Sequence, residues 1–377
     1  MQNISYADFS AKIHSNSSNK RIPMYGMIEV TRRCPLKCAH CYNNLPLQDQ
    51  EAGLNELTFD EHCRILDEIT GAGCLWLTYT GGEIFVRKDF LDIYTYAKKK
   101  GLLITLFTNG TLITPEIADY LAEWRPSCLE ITVYGRTMET HERVTGVPGS
   151  YDKCLEGIRL LTERKLPLKL KTMALTLNEH EIWQLKGFVE DELGLDFRFD
   201  PMINPRLDYS QKPLDFRLPP LRAVELDLQD PKLLSEWKKF AEGCVRGARS
   251  DKEVYYCNAG ITGFGIDPYG GMNICLFSPD GKYDLRKGSF MEGWDVVLLK
   301  DRSRKITRQT KCVECTIREM CGMCPPNSLL EKGDPEEPVD FFCEVAHLRA
   351  NAFGIPVKPH GGCEYCEARI EHSLLIK

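Results

Sequence analysis

Seventeen cysteines in 377 residues, an odd number, limit this chain more than any other feature. A disulfide framework suits small secreted domains that lack an adequate core. This chain is long enough for two or three domains. Its first twenty residues, Met1 to Lys20, are polar and rich in Ser and Asn, without the apolar run of a secretory signal. The expectation is a cytoplasmic protein whose cysteines serve metal or iron–sulfur ligation, redox chemistry, or packing as small hydrophobes.

Position separates these uses. Cys34, Cys38 and Cys41 form C-x3-C-x2-C, while Cys257, Cys275, Cys312, Cys315, Cys321, Cys324 and Cys343 crowd the last third. Cys363 and Cys366 form a terminal C-x2-C behind Gly361-Gly362, read either as a tail thiol pair or as a cluster ligand or redox relay. Cys63, Cys74, Cys128, Cys154 and Cys244 fall within apolar patterns and read as packing residues, Cys244 least clearly because it lies near the C-terminal group. A net charge of −6 argues against a broad electrostatic nucleic-acid partner. No stretch approaches the roughly 18–20 apolar residues of a membrane span.

From Tyr25 to about Asp200, β-like runs alternate with helical patterns. Strands are expected at Tyr25–Val30, Leu75–Tyr79, Leu102–Phe107, Leu129–Val133, Leu168–Ala174 and Phe197–Phe199. Helices are expected near Phe59–Thr70, Phe90–Lys100, Pro115–Trp124, Tyr151–Arg164 and Glu179–Leu193. Thr58 with Glu61 makes a capping box, and Thr114 before Pro115 reads as an N-cap. Such βα alternation implies an α/β fold with a parallel sheet, and six strands suit a partial (βα)6, TIM-like barrel. After a Pro-rich stretch, Pro201–Pro220, one helix is expected near Leu221–Phe240, and then the rhythm stops. Ile266 to Cys275 reads as a hairpin with a Gly-rich turn.

The unusual segments share one rim. The cysteine triad follows the first strand, Gly81-Gly82-Glu83 the second, Thr108-Asn109-Gly110 the third and Tyr134-Gly135 the fourth. Ligand sites in βα folds form beyond the C-terminal ends of strands. Three cysteines within eight residues, with no fourth nearby, can hold a 4Fe–4S cluster that keeps one iron open. The alternative is a zinc loop or redox sensor, although zinc spacing normally comes in pairs.

Cys34-x3-Cys38-x2-Cys41, with His40 at the usually aromatic position, resembles the cluster motif of the radical S-adenosylmethionine enzymes. In that family the open iron is chelated by the amino and carboxylate groups of S-adenosylmethionine. An electron from the cluster then cleaves the sulfonium to methionine and a 5′-deoxyadenosyl radical. Gly81, Gly82 and Glu83 resemble the family's GGE motif, with Ile84 where many relatives have Pro. The glycines are expected to let the backbone approach the ligand, and Glu83 to accept from the methionine ammonium. By the same resemblance Thr108 and Asn109 lie near the ribose or methionine part, and Thr132 to Gly135 beside ribose and adenine. His40 and Tyr42 would stack near the adenine, and Arg143 would grip the methionine carboxylate, two residues earlier than in many relatives.

The C-terminal run Cys312-x2-Cys315-x5-Cys321-x2-Cys324, with Cys343 beyond, resembles the SPASM domain, an auxiliary-cluster extension of one branch of these enzymes. Its last internal step is one residue shorter than the family pattern. Structural zinc is the rival reading of the C-x2-C pairs. The resemblance assigns Cys312, Cys315, Cys321 and Cys343 to one 4Fe–4S cluster, and Cys257, Cys275 and Cys324 to another. Cys244, Cys363 or Cys366 could complete the second set, or it could stay open. The expected organisation is an N-terminal tail over 1–21, the barrel over 22–240, a SPASM domain over 241–350 and a tail over 351–377.

SPASM proteins largely modify peptides, and the stretch His141 to Ser150 also resembles that branch. The resemblance therefore implies maturation of a ribosomally made peptide. Tetrapyrrole or haem-pathway chemistry is the second reading, and an iron–sulfur electron carrier the non-enzymatic one. A reducing partner such as flavodoxin or ferredoxin is implied. Only 33 residues precede Cys34, so a leader-recognition protein would be separate or absent.

Overall fold

The computed structural model describes residues 10, 12–13, 20–244 and 253–367; most of the expected N-terminal tail and the last ten residues lie outside it. Six strands follow one another as read: β1 Tyr25–Thr31, β2 Trp76–Gly81, β3 Leu103–Thr108, β4 Cys128–Thr132, β5 Leu168–Met173 and β6 Asp196–Asp200. Their partners are parallel throughout. Between them run helices α1 Phe59–Gly71, α2 Phe90–Lys99, α3 Pro115–Glu123, α4 Met138–Thr145, α5 Ser150–Glu163 and α6 Ile182–Gly187. The Thr58/Glu61 capping box is present in full, and Thr114 accepts from the Ile117 N–H.

The chain divides into two compact units. One holds everything up to Met173 together with Leu177–Asp200 and Tyr256–Ser303; the other holds Ala174–Thr176, Pro201–Tyr255 and the chain from Arg304 onward. The boundary expected at 240/241 does not follow this division. The reason is strand pairing: β7, Gly263–Ile266, runs parallel to β1 from Tyr25 to Ile28. β8, Gly271–Asn273, then folds back antiparallel on β7 as the expected hairpin, and β9, Tyr283–Asp284, pairs with β8. The sheet order is β9-β8-β7-β1-β2-β3-β4-β5-β6, linear and therefore an open barrel.

Strand residues such as Ile28, Tyr79, Ile104, Leu106, Ile131 and Leu170 are fully buried, as are Ile65, Ile69, Phe90, Ile93 and Leu161 of the helices. Cys74 and Cys154 join this core as expected, whereas Cys63 and Cys128 are half-buried, and the side chain of Cys244 lies outside the described residues. Strand residues on the other face are polar: Tyr25 bonds Thr78, and Glu130 takes Lys171 and Arg198. Alternation along each strand produces both faces from one sequence pattern.

Two expected helices are interrupted. Glu179–Leu193 breaks into a 3-10 turn, α6 and a π turn. Leu221–Phe240 becomes two helices of the second unit, α7 Pro220–Gln229 and α8 Pro231–Cys244. Pro231 lacks the N–H to continue α7, and the Asp230 carboxylate accepts from Lys232 and Leu233 to start α8. That unit also contains α9 Pro325–Lys332 and α10 Asp340–Ala352, with Arg349 of α10 buried against Asp227 of α7.

Candidate active site and cysteine sets

Each part of the rim site is fixed by backbone first. Gly82 donates to the Thr31 carbonyl at 2.7 Å and Glu83 to the Arg33 carbonyl at 3.1 Å. A Cβ on Gly81 would sit 2.1 Å from the Thr31 oxygen, and one on Gly82 2.4 Å from the Arg33 oxygen. The glycine pair therefore admits the chain segment that carries Cys34. Beside any approach to a ligand, the glycines make a close approach to the protein's own backbone, at the point where the β1–β2 register shifts between Glu29 and Thr31.

The triad loop leaves from Arg33–Cys34 and closes on Leu45–Pro46 through a short parallel ladder. It rests on the end of α4: Lys37 donates to the Thr145 carbonyl and Ala39 to the Val144 carbonyl, at 2.8 and 2.9 Å. Gly146, left-handed at φ 66°, ends that helix. The stretch from His141 to Ser150 thus forms the shelf beneath the cysteine loop. α4 itself was not expected from sequence. Its N-terminus is capped by Thr137 and by Glu181, which accepts from Arg136 and Thr137 N–H groups and the Thr140 hydroxyl. A cap contributed from about forty residues away leaves no local signal.

Glu83 is buried, and its carboxylate accepts from the Thr108 hydroxyl (2.7 Å), the Asn109 N–H (2.7 Å) and the Phe85 N–H (3.3 Å). None of these partners is a cation. Burial outweighs the three hydrogen bonds and raises the carboxyl to about 7. Asn109 links this carboxylate to the triad, since its side-chain amide donates to Cys34 Sγ at 3.5 Å. Burial raises the Cys34 thiol to about 12 and pushes Cys38 well up, with the neighbouring cysteines adding to both. Such thiols ionise against a metal cation. Three mutually close thiols and a buried carboxyl without a cationic partner fit an iron–sulfur cluster and an ammonium-bearing ligand.

The remaining rim residues divide. His40 packs edge-on to Tyr134, ring centroids 5.1 Å apart, with its Nδ1 buried and unpartnered. Tyr42 lies against Phe277, and its hydroxyl donates to Glu29 of β1 at 2.8 Å. Thr132 ends β4 beside Lys171. Arg143 is exposed and donates to the Leu177 carbonyl at 2.7 Å.

Sequence reasoning named Tyr134 only as part of the rim stretch and missed Glu29. The Tyr134 hydroxyl bonds the Cys38 thiol and approaches His40 Nε2, while Asn178 and His141 fix its backbone. Glu29, fully buried in β1, binds Arg32, Tyr42 and Asn43. An acidic residue inside an apolar strand was the available signal for Glu29; Tyr134 had none beyond its rim position.

In the second unit, Cys312, Cys315, Cys321 and Cys343 lie close enough to perturb one another's ionisation in sequence. Cys321 points to the Phe342 carbonyl on α10, and Cys324 stands at the N-cap of α9. Cys257 and Cys275 are neighbours in the barrel unit. Cys363 and Cys366 meet Cys343, His347 and His360 of their own unit, a partner set that sequence did not suggest.

Residues 28–189 match the model of the Radical SAM superfamily. An AdoMet-dependent heme synthase of Methanosarcina barkeri is 36% identical over 348 residues, 83% of this chain and 95% of that protein. A PqqA peptide cyclase of Rhodopseudomonas palustris is 33% identical over 175 residues, 46% of this chain and 45% of that protein. Streptococcus suis SuiB bound to S-adenosylmethionine superposes with a TM-score of 0.64 at 18% identity, covering 91% of this chain and 81% of that one, a likeness of fold. Among the described residues no helix is long and apolar enough to cross a membrane.

Proposed function

Because the chain belongs to the radical S-adenosylmethionine superfamily, in its SPASM-bearing branch, we propose that it matures a ribosomally made peptide, using the rim site to bind cofactor and the C-terminal cysteines to hold auxiliary clusters. Cys34, Cys38 and Cys41 would hold the 4Fe–4S cluster, which would supply the electron for reductive cleavage of S-adenosylmethionine bound at the rim.

The observation that carries the cofactor reading is the buried Glu83 carboxylate, held by Thr108 and Asn109 and lacking a cation of its own. In this reading Glu83 accepts the methionine ammonium, and Asn109 keeps that carboxylate in register with Cys34. Tyr134 donates to Cys38 and stabilises its thiolate. Gly81 and Gly82 are positioning residues, required by the contact between strand ends. The polar sheet face around Glu130, Lys171 and Arg198 is the surface we assign to substrate.

The peptide half rests on relatives. The PqqA peptide cyclases, the subtilosin biosynthesis protein AlbA of Bacillus subtilis and SuiB with its precursor peptide SuiA share the domain or the fold. Electrons would come from a reducing partner such as a flavodoxin or ferredoxin in the cytoplasm. The second reading, haem-pathway chemistry, is favoured by one observation: the heme synthase match spans nearly that whole protein.

Anaerobic, cluster-loaded enzyme with reductant and S-adenosylmethionine is expected to release 5′-deoxyadenosine and to change the mass of a precursor peptide encoded nearby. Conversion of a haem-precursor porphyrin to haem, with the peptide untouched, would replace the peptide reading by the second one. No 5′-deoxyadenosine from fully loaded protein would sink both.

A further inference from the structure

The terminal C-x2-C has a structural partner. His347, His360, Cys363 and Cys366 each place one donor atom within 4.8 Å of all the others. Cys363 Sγ and Cys366 Sγ both stand 3.7 Å from His347 Nε2, and Cys366 Sγ lies 3.4 Å from His360 Nδ1. We infer that these four residues form a mononuclear zinc site, distinct from the iron–sulfur sets, that clamps the C-terminal segment onto α10.

The spacing decides the nuclearity. Donors at about 2.0–2.3 Å from one tetrahedral ion are separated by roughly 3.3–3.8 Å. The pairs Cys363–His347, Cys366–His347 and Cys366–His360, at 3.4–3.7 Å, meet that spacing, and all four donors lie within 4.8 Å of one another. A cubane places each thiolate on its own iron, farther apart. A two-iron His2Cys2 centre puts imidazoles and thiolates on opposite irons. Here one imidazole nitrogen is in contact range of both thiols, an arrangement that one ion satisfies, with Cys343 Sγ at the edge of the same group, 3.6 Å from Cys363 Sγ and 3.8 Å from His347 Nδ1. Two thiolates with two imidazoles in that geometry select zinc.

The surroundings are built for ligation. His347 Nδ1 lies 2.7 Å from the Cys343 carbonyl. The His360 Nδ1 that faces Cys366 lies 2.7 Å from the Lys358 carbonyl, a contact that this nitrogen would give up on binding the ion. A backbone carbonyl on Nδ1 fixes the His347 tautomer and leaves Nε2 facing the thiols. Both histidines are buried, and their rings stack at 5.8 Å. Gly361 and Gly362 take φ of 52° and 67°, and a Cβ on Gly361 would meet the Lys311 Cα at 2.6 Å. That turn lets the tail lie directly on the loop preceding Cys312. Cys363 Sγ is also 3.6 Å from Cys343 Sγ, so the clamp covers the set formed with Cys312, Cys315 and Cys321.

Metal analysis of the purified full-length protein, with zinc K-edge absorption, tests this. Expected is one zinc per chain that survives dialysis, with two sulfur and two nitrogen ligands at about 2.3 and 2.0 Å. His360→Ala with Cys366→Ser should lose the zinc while iron per chain stays at the wild-type value. Zinc-free wild type after growth and reconstitution with zinc present overturns the proposal. So does loss of iron instead of zinc from the double variant, which would make Cys366 a cluster ligand. The wild-type spectrum decides even if the variant misfolds.

Discussion

Replacing Glu83 by Gln isolates one charge at the centre of the rim site. Thr108 and the Asn109 N–H already bond this carboxylate, yet burial still raises it to about 7 from an ordinary 4.5. Restoring the ionised form therefore requires roughly 3 kcal/mol of favourable interaction. An ammonium docked on the carboxylate supplies it. Glu83→Gln keeps the shape but removes the charge, so S-adenosylmethionine should bind about 2–3 kcal/mol more weakly, roughly 30- to 150-fold. Equilibrium binding to cluster-loaded protein measures this, with iron content as the check on folding. The same burial has a pH signature before the cofactor is added. A raised carboxyl contributes stability below about 4.5 that is lost as pH rises through about 7. Wild-type melting should fall over that interval, and the Gln variant should lack that component. Affinity within about threefold of wild type, at full iron loading, refutes the assigned role of Glu83.

Three further outcomes are expected. Changing Cys34, Cys38 and Cys41 together to Ala should lower iron from about 12 to about 8 per chain and abolish 5′-deoxyadenosine, leaving the C-terminal sets loaded. Gly82→Ala forces a Cβ to within 2.4 Å of the Arg33 oxygen. Since that neighbour is backbone, the variant should lose about 1–3 kcal/mol by denaturant melt and load less iron at the triad. Asp227→Ala leaves the buried Arg349 guanidinium without its carboxylate. The cost should be about 3–5 kcal/mol in the second unit, with the rim site's affinity for S-adenosylmethionine unchanged.

Local patterns carried most of the barrel. Its six strands and the caps at Thr58 and Thr114 follow from alternation and turn chemistry, which act over a few residues. The triad and Gly81-Gly82-Glu83 were equally legible, because their spacing is itself the chemistry. What sequence could not supply depends on distant partners: the contact of Arg143 with the Leu177 carbonyl, that of Tyr42 with Glu29, and the capping of α4 by Glu181.

By itself the sequence determined the α/β repeat, the C-x3-C-x2-C spacing of Cys34, Cys38 and Cys41, and the order in which rim motifs meet the strands. Period and spacing are properties of the chain alone. Only the tertiary structure decided that β7 to β9 join the barrel sheet, that the glycine pair serves a strand contact, and that Cys363 and Cys366 meet His347 and His360. Those outcomes depend on backbone register and on donor atoms brought within 4.8 Å from positions up to 19 residues apart. No linear pattern encodes such distances.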